Sequence, residues 1–281
     1  MPNPIKFLKK KLSSRKILWI CAAIIIVLSG TALYAYDNAV PQVLAQTAVS
    51  SLPEVTMPVR GQEVLVFAPH PDDETIGVGG FIAQSRKNGA SVTIVLVTNG
   101  NFHNQESLRY SEFKKAAAIL GVSESDLVFL NFADSKLDRI NQTLLYNALK
   151  QQIDIFNPDI VVFPHPRDAN PDHAVIGKIV ESILKADPHQ RSDYEYLVHY
   201  EILFPRPRKY DPNLYLLPPK RLINAADQWE RVPLTQDTEN LKSAAIFTYQ
   251  SQLKDPWLKG LLLSSIRKDE LLAVPQNLGA R

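Results

Sequence analysis

The hydrophobic rhythm of the chain changes twice. Ile17 to Tyr36 is a run of 20 residues without a charge. A helix of that length spans roughly the 30 Å of a bilayer core at about 1.5 Å per residue. Residues 37–60 have no clear period and contain three prolines, which predicts a stalk. From residue 61 short apolar runs rich in Val, Ile and Leu alternate with segments of helical spacing. Strands are predicted at 63–68, 91–97, 127–130, 159–163 and 194–203, with helices at 74–87, 106–120, 141–156 and 172–185. After Leu203 the period fades: 204–240 reads as irregular chain and 238–253 as a last helix.

Near-continuous apolar strands separated by helices predict an α/β domain over 61–281, with a Rossmann-like, mainly parallel sheet covered by helices on both faces. One N-terminal transmembrane helix would precede it. Open sheets of this kind bind ligands at the carboxyl ends of their strands. Chemistry is therefore expected just after residues 68, 98, 130 and 163.

Composition narrows the class. With 45% hydrophobic and 21% charged residues, the chain is neither disordered nor fibrous. Its one cysteine excludes a disulfide scaffold and a multi-cysteine zinc ribbon. Cys21 falls inside the apolar run and reads as a membrane-buried thiol. The net charge of +2 hides an asymmetry, because residues 1–16 carry six Lys and Arg and no acid. The rest has 25 basic against 29 acidic residues, a net of −4. That balance offers no basic face for nucleic acid, and none is expected as a partner. The basic segment 1–16 should stay cytoplasmic, which places the domain outside the membrane. Trp19, Tyr34 and Tyr36 suit the two interfaces. The alternative is a signal peptide cleaved near Leu33-Tyr34-Ala35, giving a secreted protein.

Two turns concentrate chemistry. Pro69-His70-Pro71-Asp72-Asp73-Glu74 follows the first strand, and Pro164-His165-Pro166-Arg167-Asp168-Ala169-Asn170-Pro171-Asp172-His173 follows the fourth. Zinc takes imidazole nitrogen and carboxylate oxygen, and a catalytic zinc keeps one position for water. His70, Asp73 and His173 could supply three ligands, leaving Asp72 free as a base. The plainer reading is that these acids only begin a helix, whose dipole favours negative charge.

The first turn resembles the (A/P)HPDDE signature of the PIG-L/LmbE-like deacetylases, a zinc-dependent family acting on N-acetylglucosaminyl groups. Thr98-Asn99-Gly100, Arg109-x-x-Glu112 with Leu120-Gly121, Phe129-Leu130 leading to Asp134, Pro171-Asp172-His173, and Lys242 with Tyr249 and Ser251-Gln252 are similar to later family segments, in order, across most of 62–253. The resemblance implies zinc, or another divalent metal, on His70, Asp73 and His173. It implies Asp72 as general base, and Arg109 and Asp134 as substrate-binding residues.

One departure stands out: Asn170 occupies the place of the first His of the family's H-P-D-H motif. Asn donates a hydrogen bond but transfers no proton near neutral pH. Asn170-Pro171 also reads as a helix cap followed by proline at the first helical position. Asn170 is therefore a candidate oxyanion donor, and the acid is sought at His199, in Tyr196-Leu197-Val198-His199, or at His165. The expected protein is a membrane-anchored, extracytoplasmic deacetylase. Its expected substrate is an N-acetylated sugar, a glycolipid or a cell-envelope glycan. The alternative is a catalytically impaired, membrane-tethered carbohydrate-binding protein of the same fold. A dinucleotide site is disfavoured: the first turn is acidic rather than glycine-rich, and Gly77, Gly79 and Gly80 fall inside the next helix, where they would permit close packing.

Overall fold

The computed structural model describes residues 14–39, 42–101, 104–200, 204–223 and 228–275. The basic residues Lys6, Lys9, Lys10 and Lys11 lie outside these, as does the end of the predicted 194–203 strand. The chain divides into two units at Ala45/Gln46.

The first unit contains helix α1 (Ser14–Ala39). Its stretch Arg15–Ala32 is long and apolar enough to cross a membrane by length and composition, and none of it is buried. Those properties fit a span and a signal sequence equally.

In the second unit the alternating pattern becomes a seven-stranded sheet. Its strands are β1 (Glu63–Ala68), β2 (Ser91–Thr98), β3 (Leu127–Phe132), β4 (Ile160–Pro164), β5 (Ser192–Tyr196), β6 (Gln228–Pro233) and β7 (Asp269–Val274), in the order β3-β2-β1-β4-β5-β7-β6. The first five are parallel; β7 runs antiparallel to β5 and to β6. Successive side chains on a strand point to opposite faces, so β1 supplies two cores. Val64, Val66 and Ala68 join the side covered by α3 (Asp73–Lys87), α4 (Glu106–Ile119) and α7 (Gln236–Ile246). Leu65 and Phe67 join the side covered by α5 (Gln142–Phe156) and α6 (Pro171–Ala186). Chain order reverses direction between β1 and β4. Their carboxyl ends therefore open the crevice where such sheets take ligands.

The strands and helices up to α6 fall where the periodicity predicted them, within a few residues. The C-terminal third differs. Where 204–240 was expected to be irregular, β6 forms, and the single last helix is α7 followed by a short α8 (Gln250–Leu253). Helix α9 (Pro256–Ser264) and β7 follow. The expected stalk is also corrected over its second half. Within α2 (Gln42–Ser50), Val49 is buried against Leu197, Trp229 and Leu271, and Val55 joins the main core. Backbone bonds Val55 N to Arg231 O and Arg231 N to Pro53 O, both 2.9 Å, lay residues 53–55 along edge strand β6. An exposed strand edge invites pairing, and this segment covers it.

Inside α3 the glycines do pack closely, with Gly77 against the Tyr196 ring and Gly80 against Leu234. The helix breaks at Val78 (φ −143°, ψ 22°). The amides of Gly80 and Phe81 donate to the buried Glu270 carboxylate, each at 2.7 Å. Lys242 Nζ completes the arrangement, donating to Glu270 at 2.7 Å and to the Ile76 carbonyl at 3.0 Å. The family-like lysine thus braces the helix that begins at the site.

Candidate active site

Five strand ends deliver the site. His70 Nδ1 lies 3.0 Å from Asp73 Oδ2, His173 Nε2 lies 2.9 Å from the same oxygen, and the two nitrogens are 3.3 Å apart. Two ligand atoms on a tetrahedral zinc with bonds near 2.0 Å stand about 3.3 Å apart, so the three expected ligand atoms already share one centre. All three residues are buried. Among the described residues they form a group able to hold a metal ion. The surrounding charge agrees. Asp72, Asp73, Glu74, Asp168 and Asp172 are all buried here, and a cluster of buried acids calls for a cation.

The two imidazoles are gripped from behind. His70 Nε2 lies 3.2 Å from Asp172 Oδ2, and Asp172 accepts from the amides of Ser135 and Leu137 at 2.8 and 3.0 Å. His173 Nδ1 lies 3.3 Å from Asp168 Oδ2, which accepts from the amides of Val198 and His199, each at 3.0 Å. A carboxylate on the outer nitrogen fixes the tautomer and aims the inner one. Burial opposes charging His70, but the bonds to Asp172 and Asp73 outweigh it and push the ring up to about 9. His173 moves well above its usual range, with Asp73 and Asp168 overcoming burial. Burial likewise opposes ionising Asp73, yet His173 and His70 hold it well below the carboxylate range.

Asp72 stands at the N-cap of α3 with φ 124°, a left-handed backbone that is costly for a residue with a side chain. Its carboxylate does not cap the helix. It faces the cleft beside Arg109 Nη2 at 3.3 Å, and Glu74 accepts from its amide at 3.2 Å. Glu74 is fixed in turn by the Tyr249 hydroxyl at 2.5 Å. Burial pushes Asp72 up to about 8 against the pull of Arg109, with Asp73 and Glu74 adding to the rise. The acids do begin a helix, as the plainer reading held, and the same turn carries the site.

Arg109 also donates to the Pro71 carbonyl at 2.6 Å and lies 3.6 Å from Asp134, whose other oxygen is 3.3 Å from His70 Nε2. Gly100 admits this arrangement, because a Cβ there would come 2.8 Å from Pro71. Glu112, on the same helix face as Arg109, accepts from the amide and hydroxyl of Ser251 at 2.8 and 2.6 Å. This bond pins the segment that carries Gln252 into the cleft. Asn170 caps α6, its Oδ1 accepting from Asp172 N at 3.0 Å. Its amide nitrogen has no part in that bond.

The cleft, of about 220 Å³, is lined by His70, Asp72, Asp73, Arg109, Asp134, Asn170 and His199, together with Gln252, Leu258 and Leu261. His199 sits edge-on to His173, ring centroids 4.8 Å apart, with Nδ1 3.5 Å from Asp168. His165 corrects one expectation, since it does not line the cleft. Its backbone amide pairs with Tyr196 O at 2.7 Å, as a continuation of β4. Its ring stacks on Trp229 and faces Glu195 at 3.5 Å. The roles of Asp168 and Asp172 were missed by sequence reasoning, although both acids stand inside the second turn.

A doubly wound sheet carrying two imidazoles and a carboxylate at its switch point defines a class of α/β proteins able to hold a divalent cation. Residues 65–184 match the family described as PIG-L: GlcNAc-PI de-N-acetylase. A Bacillus subtilis protein, named as a probable N-acetyl-alpha-D-glucosaminyl L-malate deacetylase 2, is 33% identical over 132 residues, 42% of this chain and 59% of its own length. The diacetylchitobiose deacetylase of Thermococcus kodakarensis is 30% identical over 130 residues, 41% of this chain and 46% of its own. Over this region the chain is similar to the PIG-L family. It spans only about half of these relatives' lengths. The crystal structure of N,N'-diacetylchitobiose deacetylase from Pyrococcus horikoshii shares the fold, with a TM-score of 0.57 at 19% identity, covering 90% of this chain and 94% of that one.

Proposed function

We propose that the protein is a membrane-anchored, extracytoplasmic hydrolase that removes the acetyl group from an N-acetylated amino sugar or glycoconjugate. The observation that carries this reading is the convergence of His70 Nδ1, Asp73 Oδ2 and His173 Nε2 within 3.3 Å of one another beside Asp72. The donor set suits zinc, and other divalent ions can occupy it. Bound there, the cation would polarise the acetyl carbonyl and acidify water. Asp72 takes the proton of the attacking water, with its carboxylate oriented by Arg109. The Asn170 amide donates to the oxygen that gains charge, a task a neutral amide performs. His199 gives a proton to the departing nitrogen as the C–N bond breaks, and acetate and free amine leave. Arg109 and Asp134 bind the sugar's hydroxyls. The apolar α1, following a basic segment, supports an anchor with the domain outside.

The test is metal analysis of the purified protein followed by acetate release from N-acetylated sugars. One bound zinc and measurable acetate are expected. Asp72→Asn should keep the metal and lose about 10²–10⁴-fold in turnover, the range of general-base catalysis; full activity in that variant would refute the base. Asn170, which lacks the proton-transfer capacity of histidine, motivates a second reading as a sugar-binding protein without catalysis. Sugar binding with no acetate release at any metal loading would favour it.

A further inference from the structure

The cleft has a polar floor and one apolar wall. The wall is α9, whose Leu258 and Leu261 line the cavity. Position 257 precedes Leu261 by one helical turn on the same face, about 6 Å along the axis. It holds a tryptophan with 59% of its surface exposed. Large aromatic rings are mostly buried, and this exposed one is firmly held. Asp255 caps the helix by accepting from the amides of Trp257 and Leu258 at 2.8 and 3.0 Å. Arg208 Nη2 donates to the Trp257 carbonyl at 3.2 Å, and the same guanidinium covers the indole with its carbon 4.4 Å from the ring. With backbone and one ring face fixed, the exposed indole is a rigid platform one helical turn from Leu261, which lines the cleft.

We propose that Trp257 stacks a second sugar ring, linked to the N-acetylated sugar held at the His70–Asp73–His173 cluster. The substrate is then an oligosaccharide or glycoconjugate rather than a free monosaccharide. A pyranose presents a face of C–H groups, which matches the electron-rich face of an indole. A ring held in place beforehand loses little freedom on contact. Leu258 and Leu261 bridge the two positions with apolar surface. The inference rests on the amino-sugar reading of the cluster. A monosaccharide confined to the polar floor would leave Trp257 unused.

The test uses the full-length zinc-loaded protein in detergent, with N-acetylglucosamine and its β-linked dimer and trimer as probes. Acetate release gives kcat/KM, and calorimetric titration of the Asp72→Asn protein gives binding without turnover. Both affinity and kcat/KM should rise about tenfold from monomer to trimer, the size of a good aromatic contact. Trp257→Ala should erase that rise while changing the monomer's kcat/KM less than about twofold, and Trp257→Phe should restore most of it. Three outcomes would overturn the proposal: equal affinity for all three sugars, an equal loss on all three in Trp257→Ala, or an unchanged length profile with reduced sedimentation on anionic phospholipid vesicles. The last would make the ring a lipid contact. Length-dependent binding without acetate release would uphold the platform and reject the deacetylase reading.

Discussion

His173 is held at both ends. One nitrogen meets Asp73 and the other meets Asp168, which gathers the amides of Val198, His199 and Asn170. Asp168→Asn removes the charge that keeps the proton on Nδ1 and leaves one oxygen where two accepted. Partners of this kind are worth about 10–100-fold in metal affinity, and that loss is expected for zinc competed against a chelator. His199→Ala should leave the affinity in place and lower turnover. Zinc binding undiminished in Asp168→Asn would show that the carboxylate does not orient the ring. The sequence marks His70, Asp73 and His173 as candidate metal ligands because they sit in two contiguous motifs. Asp168 and Asp172 stand in the same stretch, yet nothing in a string of letters says which acid lies behind which ring. His165 misled for the opposite reason: it is a histidine in the right turn, but β4 continues through it and sends the ring to Trp229.

The element that sets the site's geometry is α6. It starts at the Asn170 cap, presents His173 in its first turn, and one turn later meets the end of β4 at Gly177. A Cβ at Gly177 would lie 2.3 Å from the Pro164 carbonyl and 2.9 Å from Pro166 N, both backbone atoms that cannot swing aside. Gly177→Ala must therefore lift the helix off the turn, carrying His173 with it. Overpacking of this kind costs about 1–3 kcal/mol. The expected result is a lower urea midpoint together with weaker zinc binding; a midpoint shift with unaltered metal affinity would mean that the helix pivots without moving His173. Elements as far as α6 are legible because their apolar periods are clean and their ends carry turn residues such as Asn157-Pro158. Those after Leu203 are not. Strand β7 begins with two acids, Asp269 and Glu270, that are buried only because Lys242, the broken α3 and the Leu216 amide receive them. That partnership joins distant segments and leaves no local period.

For the whole molecule, the boundary of the folded unit decides what can be studied apart from α1. Proline content and lost periodicity predicted a stalk to residue 60, whereas the compact unit begins at Gln46. Gln46 exchanges two bonds with the Tyr215 backbone, at 2.6 and 3.0 Å. Val49 and Val55 are nearly fully buried, and residues 53–55 shield the β6 edge. Burying two valines contributes about 3–6 kcal/mol, a large share of the roughly 5–15 kcal/mol that keeps a domain folded. A fragment of residues 46–281 should therefore unfold cooperatively in urea and bind zinc with the affinity of the full chain. A fragment of 61–281 should lose several kcal/mol and, with β6 uncovered, self-associate in size-exclusion chromatography. Equal stability of the two fragments would return residues 46–60 to the role of a tether. The candidate metal ligands follow β4 and β1, three and four strands inward from the covered edge. The shorter fragment should thus fail by loss of the fold as a whole, with zinc affinity of its surviving folded fraction unchanged.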